Sequence, residues 1–362
     1  MPTFKNEQIG NDTNYSHGII SERLSNLNIM PLISIVMPAY NVEEYISIAI
    51  ESILAQTFKD WELIITDDCS TDNTVKIIEG FCKEHKNIRL IKRKSNSGAA
   101  RLPRKESAYA STGEFIMTYD ADDFLDNDYI EKMYNRQLET GANIVLSTLH
   151  FCNDKGELDG RFIPCASFPL KNTMSGKEAT KLLLGEVAIS VNGLLIERQK
   201  YLDNISSSES KEDNYSYVDE IDQRRLLFRC EKVAFADTKY YYRQHAESLM
   251  HKKDIKRYNF LQTSKSIYEF VKSNYTEKPL FIKLQKDYIQ SLIFCQRDYY
   301  YYKHYKTEFA KEALKIIKDS YAYAKQEKMH PQGFKQKICM LSGKICRIIS
   351  CLYALFLNIK SR

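Results

Sequence analysis

The first part of the chain alternates between short apolar runs and segments in which apolar residues recur at helical spacing. Residues 33–37 form an apolar run that ends at Pro38, which predicts a buried strand. Within residues 46–54 the apolar side chains recur at helical spacing, which predicts an amphipathic helix. Residues 62–66 form a second, mostly apolar run and predict a second strand.

The same alternation continues to residue 147. A helical pattern covers 75–81, with capping side chains available within 70–72, and residues 99–111 are also compatible with a helix. Further strands are predicted at 88–91, 114–119 and 143–147. Strands that alternate with helices indicate βαβ units, so the predicted fold class is α/β, with a mainly parallel sheet flanked by helices.

Residues 151–250 carry a looser pattern and predict a second half that closes over the first. An acidic cluster at 219–222 precedes a predicted helix at 224–228, and residues 233–235 predict a strand. Residues 251–333 are rich in Tyr and Lys and compatible with helices, so we expect a helical extension there.

The two ends of the chain differ from the rest. Residues 1–30 are polar, predict a flexible leader, and lack the apolar segment of a secretory signal. Residues 334–362 mix apolar side chains with Lys and Arg, and their charge-free part, 348–359, is shorter than the ~20 residues of a spanning helix. This tail predicts a basic amphipathic segment at a membrane surface. The alternative is a terminal helix packed on the protein's own core.

Composition narrows the classes of protein. The chain has 362 residues, 43% of them hydrophobic and 27% charged, so a normal globular core can form. A net charge of +5, without a basic stripe in the first 250 residues, argues against nucleic acid as a partner. Nine Cys without metal-binding spacing fit a reduced compartment, so we expect a cytoplasmic protein. Together with the predicted membrane contact of the tail, this places the protein at the inner face of the cell membrane as a peripheral protein.

Polar residues follow three of the predicted strands. Residues 38–41 come after the first strand, 67–68 after the second and 120–123 after the fourth. Because ligands bind outside the carboxyl ends of parallel strands, we expect these turns to line one crevice. The residues placed there are Pro38, Ala39, Tyr40, Asn41, Asp67, Asp68, Asp120, Ala121, Asp122 and Asp123.

The acidic turn at 120–123 predicts a metal site. Carboxylates crowded at a strand end repel each other unless a positive charge lies between them. Mg²⁺ or Mn²⁺ is the natural partner, held by one or two carboxylates and by substrate phosphates. Such an ion neutralises charge on a departing diphosphate. The alternative is a solvated acidic turn that caps the next helix.

The acidic pair Asp67 and Asp68 has two compatible roles. A carboxylate at a strand end can accept hydrogen bonds from a base or a ribose. The following residues, 70–72, can instead cap the next helix.

At this point the sequence resembles a known family. Residues 33–41 with Glu43, and residues 61–74, resemble the opening of family-2 glycosyltransferases of GT-A fold. Residues 113–116, followed by 120–123, resemble that family's metal-binding DxD region. The combination is specific, whereas each motif alone is weak.

The family's motifs match closely spaced positions over 33–150 and only scattered positions over 185–248. It implies a GT-A domain over 31–250, in which 31–150 binds the sugar donor and 151–250 binds the acceptor. With the helical extension and the tail, this gives the predicted domain organisation.

The resemblance also assigns roles to residues of the first half. It places Pro38, Tyr40 and Glu43 around the nucleotide, Asp68 on a uracil-type base and Arg104 near the nucleotide. It gives Asp122 a ribose or metal contact and makes Asp123 the main metal ligand.

The chain departs from the family pattern close to these residues. Cys69 stands where Gly is common, and Pro103 and Lys105 flank Arg104 where Ala and Asn are usual. The conformation of the Cys69 loop is therefore left open.

In the second half, the family's Glu-Asp pair corresponds to Asp219 and Glu220. The second member of that pair is the family's catalytic base, so the resemblance implies this role for Glu220, and a carboxylate can take the proton of an attacking sugar hydroxyl. The alternative is a solvated acidic helix start. Tyr242, Arg243 and Ser248 resemble the family's closing segment. His245 is then a candidate for the diphosphate or the metal, although a lone His is more often structural.

The implied activity is an inverting transfer from a nucleotide-diphosphate sugar to a saccharide or lipid-linked oligosaccharide acceptor, as in the family's bacterial surface-polysaccharide enzymes. Two alternative functions remain for a chain with these residues. A nucleotidyltransferase also uses paired acids and metal, but residues 38–41 do not form its usual Gly-rich phosphate loop. A sugar-nucleotide-binding protein without turnover would explain Cys69 and the reversed acidic pair.

Overall fold

The structure is a computed structural model that describes residues 30–163, 172–184, 193–207, 218–244, 255–301 and 307–329. The predicted leader up to residue 29 and the predicted tail, 334–362, lie outside these residues.

Nine strands and ten α-helices are present in the described residues. The strands are β1 (Ile33–Ala39), β2 (Trp61–Asp67), β3 (Ile88–Lys92), β4 (Phe115–Thr118), β5 (Phe124–Leu125), β6 (Ile144–Cys152), β7 (Leu158–Ile163), β8 (Leu195–Glu197) and β9 (Val233–Arg243). The helices are α1 (Ile46–Leu54), α2 (Thr74–Glu84), α3 (Arg101–Tyr109), α4 (Tyr129–Thr140), α5 (Gly176–Leu183), α6 (Arg198–Ser207), α7 (Val218–Arg229), α8 (Phe260–Asn274), α9 (Lys278–Tyr301) and α10 (Ala310–Gln326). A 3-10 helix, Ile255–Asn259, precedes α8.

All described strands belong to one sheet, in the order β3-β2-β1-β4-β8-β6-β9-β5, with β7 paired to β6. β1 to β4 pair in parallel, and β6 and β9 run in the same direction. β5, β7 and β8 run the opposite way. The predicted α/β class is confirmed, and the sheet is mixed because of these three strands.

The central strands are buried on both faces. Every residue of β1 and β2 is buried. Ile35 packs into the cluster beneath α1 and α2, whereas Val36 packs into a second cluster on the other side of the sheet. Successive side chains of a strand point to opposite faces, so burial on both sides requires a continuous apolar run. This explains why the pattern at 33–37 predicted the strand.

Several element boundaries differ from the sequence prediction. α2 is preceded by Asn73 rather than by a cap within 70–72, although Asp72 accepts a 3.0 Å hydrogen bond from the amide of Thr74. α4 was not predicted, and it ends at Gly141 in a left-handed conformation, φ 59°. The helix predicted at 224–228 is longer and begins at Val218.

The C-terminal helices pack on the α/β domain. Lys181 of α5 forms an ion pair with Glu277 at 2.8 Å, and the Tyr275 hydroxyl donates to the carbonyl of Lys177 at 2.9 Å. Phe228 of α7 packs edge-on against Phe270 of α8, with ring centroids 5.4 Å apart. In the described part of the chain, no helix combines the length and the apolar character needed to cross a bilayer.

Candidate active site

The turns after β1 and β2 are tied together at the carboxyl edge of the sheet. The amide of Asp68 donates to the carbonyl of Ala39 at 2.8 Å, and the amide of Asn41 donates to the Ser70 hydroxyl at 2.9 Å. Glu43 accepts hydrogen bonds from the backbone and side-chain amides of Asn73, at 2.8 and 2.7 Å. The predicted neighbours are therefore brought together, and Asn41 and Glu43 also shape the turns.

The two acidic residues at the carboxyl end of β2, Asp67 in the strand and Asp68 just after it, differ in their hydrogen bonding. Asp68 is buried, and its carboxylate accepts hydrogen bonds from the amide of Ser97 at 3.0 Å and from its hydroxyl at 2.7 Å, and pairs with Arg93. Asp67 is also buried, but only its Oδ2 has a partner, the amide of Ser70 at 3.1 Å. Its Oδ1 has no hydrogen-bond partner among the described residues. Asp67 thus offers an unused acceptor at this edge.

Cys69 keeps the backbone conformation that a glycine would favour. Its φ is +67°, in the left-handed region. A residue with a Cβ reaches this region at an energetic cost, whereas glycine does not. Cys69, which stands where the family commonly has Gly, therefore keeps the left-handed backbone conformation, and its Cβ strains the turn.

The acidic turn after β4 gathers three carboxylates. One oxygen each of Asp120, Asp122 and Asp123 lies within 4.8 Å of the others, a grouping that could hold a metal ion. Arg104, itself buried, donates to Asp120 Oδ1 at 2.8 Å. Oxygen-only ligands of this kind suit a hard divalent cation, so these residues fit the predicted metal.

Asp123 is fully buried, unlike its partly exposed neighbours Asp120 and Asp122. Its Oδ2 accepts from the Tyr240 hydroxyl at 2.6 Å and its Oδ1 from the amide of Arg243 at 2.8 Å. Burial, and then the charges of Asp122 and Asp120, raise the pKa of Asp123 well above its ordinary value. A bound cation would offset both effects. Asp123 also joins the turn to β9, a role that the sequence did not predict.

Arg243 connects the acidic turn to Asp154 and to two aromatic rings. Its Nε donates to the carbonyl of Asp122 at 2.9 Å, and its Nη1 donates to the carbonyl of Asp154 at 2.5 Å. The guanidinium also lies over the rings of Tyr45 and Phe124, each 5.3 Å from the centroid. The sequence had marked Arg243 by resemblance alone. His245 and Ser248, from the same predicted segment, lie outside the described residues.

The predicted acceptor half reaches the same edge through α7. The backbones of Asp219 and Glu220 lie in its first turn, and their side chains are outside the described part of the structure. Asp222 accepts a 2.9 Å hydrogen bond from Nε of Arg101 on α3. Because Arg104 on the same helix binds Asp120, α3 links the acidic turn to α7.

The relatives of this chain include bacterial glycosyltransferases. The chain is 36% identical to the poly(ribitol-phosphate) beta-glucosyltransferase of Bacillus spizizenii over 34% of this chain and 20% of that protein. It is 35% identical to the UDP-Glc:alpha-D-GlcNAc-diphosphoundecaprenol beta-1,3-glucosyltransferase WfgD of Escherichia coli, over 36% of this chain and 51% of that protein. The chain thus spans less than two thirds of the length of either relative.

The fold is similar to a solved structure over nearly its whole length. The crystal structure of S. aureus TarS 1-349 in complex with UDP superposes with a TM-score of 0.62 at 18% identity, covering 91% of this chain and 92% of that chain. This likeness supports the GT-A fold. Residues 34–205, somewhat under half of the chain, match the family described as glycosyl transferase family 2.

Proposed function

We propose that this protein is a glycosyltransferase that moves a sugar from a nucleotide-diphosphate sugar, a UDP-sugar, to a saccharide acceptor in the synthesis of a bacterial surface polysaccharide. The observation that carries the proposal is the carboxylate group Asp120, Asp122 and Asp123, which lies at the carboxyl edge of a family-2 domain beside the turns that follow β1 and β2. The names of the two relatives support the activity, and that of WfgD supports a lipid-linked acceptor.

In this proposal Asp122 and Asp123, with Asp120, would hold Mg²⁺ or Mn²⁺. When bound, the ion would supply positive charge for the leaving diphosphate. Arg104 orients Asp120 and keeps a second positive charge at the turn. This arrangement suits a leaving group whose negative charge grows during the reaction, because fixed charges stabilise it without reorganisation.

The nucleotide end of the sugar donor would lie over the turns after β1 and β2. Tyr40 is 45% exposed there, which leaves its ring available to a base, and Asp67 Oδ1 is a buried acceptor without a partner in the described structure. Asp68 was expected to bind a uracil-type base. Because its carboxylate holds Ser97 and Arg93, we propose that it shapes the base pocket and that Asp67 shares the contact.

The acceptor would enter beside α7. We propose that Glu220, or its neighbour Asp219, takes the proton of the attacking hydroxyl while that oxygen displaces the nucleoside diphosphate from the opposite face of the anomeric carbon. Asp222 is less suited to this task, because its carboxylate is paired with Arg101.

A panel of nucleotide sugars, with Mg²⁺ or Mn²⁺ and a chelator control, tests the proposal directly. Release of nucleoside diphosphate with a transferred sugar supports it. Release of pyrophosphate would indicate nucleotidyl transfer, and metal-dependent binding without any turnover, even hydrolysis, would indicate a binding protein.

We further propose that the tail, 334–362, brings the protein to the inner face of the membrane, on the basis of its apolar and basic sequence. Deleting the tail is expected to move the protein from the membrane fraction to the soluble fraction. Unchanged partition would reject this part of the proposal.

A further inference from the structure

The segment 93–100, here called the Asp68 loop, connects β3 to α3 and folds around the buried carboxylate of Asp68. Besides the hydrogen bonds from Ser97, the side-chain amide of Asn96 donates to the carbonyl of Asp68 at 3.1 Å. Arg93 binds the Asp68 carboxylate and donates to the carbonyl of Ser95 at 3.1 Å. The loop's conformation is therefore coupled to the acidic edge beside Asp67.

The outer side of this loop is held by a residue 158 positions away in the sequence. Nζ of Lys256 donates a 2.6 Å hydrogen bond to the carbonyl of Gly98, which lies in the left-handed region at φ +82°. Lys256 is itself half-buried. A charged donor makes a shorter and stronger hydrogen bond than a neutral one. Most other residues of the loop are exposed, so this bond ties an otherwise solvent-facing segment to the helical extension.

The helical extension, rather than the loop, determines where Lys256 lies. Lys256 belongs to the 3-10 helix Ile255–Asn259, whose Tyr258 is fully buried. The Tyr258 ring packs edge-on against Tyr299 of α9, with centroids 6.4 Å apart, in a cluster that includes Ile317 of α10. The ammonium group is thus presented to the loop by a packed bundle of helices.

We propose that Lys256 is a positioning residue through which the helical extension holds the Asp68 loop in the shape that binds the nucleotide. This inference rests on the proposed function, since it takes the edge beside Asp67 and Asp68 as the nucleotide pocket. The other end of the loop runs into α3, where Arg101 binds Asp222, so the loop is restrained from both the extension and α7.

The experiment compares full-length wild type with Lys256→Met, which keeps the aliphatic stem but removes the donor, and with Lys256→Arg. Lys272→Met is the matched control, because Lys272 belongs to the same extension and pairs with Glu327 at 2.7 Å, within the extension. Backbone amide exchange over residues 93–101, UDP binding by calorimetry, and kcat and KM for the UDP-sugar are measured on all four proteins.

We expect Lys256→Met to speed amide exchange over 93–101 by about tenfold and to weaken UDP binding and raise the sugar-donor KM by a similar factor. kcat should stay within about twofold, since Lys256 is proposed to act on binding rather than on the reacting atoms. Lys256→Arg should recover most of the exchange protection, and Lys272→Met should match wild type in every measurement.

Equal exchange in Lys256→Met and Lys272→Met would overturn the restraint. Faster exchange with unchanged UDP affinity would overturn its link to the nucleotide. If wild type turns over no sugar donor, the proposed transferase activity fails, while the exchange and UDP-binding measurements still decide the role of Lys256.

Discussion

The hydroxyl of Tyr240 donates a 2.6 Å hydrogen bond to the carboxylate of Asp123, and both side chains are fully buried. Asp123 belongs to the acidic turn after β4, whereas Tyr240 lies on β9. The bond therefore joins the proposed metal site to the second half of the sheet. It also satisfies one of the two oxygens of a carboxylate that has been removed from water.

Replacing Tyr240 with Phe is expected to lower the free energy of unfolding by about 1–3 kcal/mol, because Asp123 Oδ2 would lose its partner in a buried site. Urea unfolding measures this change. Tyr241→Phe is the matched control, since its hydroxyl binds the carboxylate of Asp126 at 2.7 Å in a partly exposed position. The structural role of Tyr240 would be refuted if both variants lost the same stability.

Asp122→Asn is the cleanest test of the proposed metal site, because Asp122 is more accessible than Asp123. We expect at least about a 100-fold loss of kcat and a loss of the response to added Mn²⁺, since charge stabilisation of the leaving group would fail. Sugar-donor turnover across a metal titration measures both. Asp128→Asn, which removes a surface carboxylate paired with Lys132 at 2.9 Å, should behave as wild type. Full metal-stimulated activity in Asp122→Asn would end the hypothesis.

Glu220→Gln is expected to bind the sugar donor normally but to lower kcat by at least about 100-fold, because the attacking hydroxyl would keep its proton. Nucleotide release and calorimetry separate the two effects. Asp222→Asn should instead lower stability, since Arg101 would lose its charged partner. If Asp219→Asn or Asp222→Asn alone reproduced the slow-turnover behaviour, the catalytic base would have to be reassigned.

Cys69→Gly is expected to raise the free energy of unfolding by up to about 1 kcal/mol, because glycine occupies the left-handed region without a Cβ penalty. The gain is limited by the greater freedom of glycine in the unfolded chain. Thermal unfolding measures it, and Cys69→Ala, which keeps the Cβ, should show no such gain. Equal stabilisation by the alanine variant would mean that strain at this residue is not the cause.

The buried carboxylate of Glu62 should make stability depend on pH. Burial opposes ionisation, but hydrogen bonds from Ser34 and Thr112 outweigh it and hold the pKa of Glu62 below its ordinary value of 4.5. The folded state then binds fewer protons than the unfolded state. The stabilising contribution is present above the unfolded pKa and is lost as the pH falls through the lower folded pKa.

We therefore expect Glu62→Gln to cost about 1–3 kcal/mol at neutral pH, with the difference from wild type shrinking in acid. Urea unfolding at a series of pH values below 6 measures the convergence. Glu79→Gln, which removes an exposed and solvent-screened pair with Lys92, should change the pH profile much less than Glu62→Gln. A constant difference between Glu62→Gln and wild type at every pH would contradict the linkage.

Local sequence was sufficient to predict β1, β2 and β4 and the polar turns that follow them. Each of these strands is buried on both faces, so its largely apolar run continues until the polar residues of the following turn begin. The predicted parallel direction of these strands placed residues 38–41, 67–68 and 120–123 at one edge of the sheet. β5 and β8, with two and three residues, were too short to leave a pattern.

What the sequence by itself determined was therefore the parallel part of the sheet, its family resemblance and the acidic residues at its edge. Only the tertiary structure decided that Tyr240 lies against Asp123 and that Lys256 reaches Gly98. It also decided that Ser97 and Arg93 bind the carboxylate of Asp68, while Asp67 keeps an unused acceptor. The physical reason is that periodicity reports which face of an element is buried. It carries no information about which distant side chain meets that face.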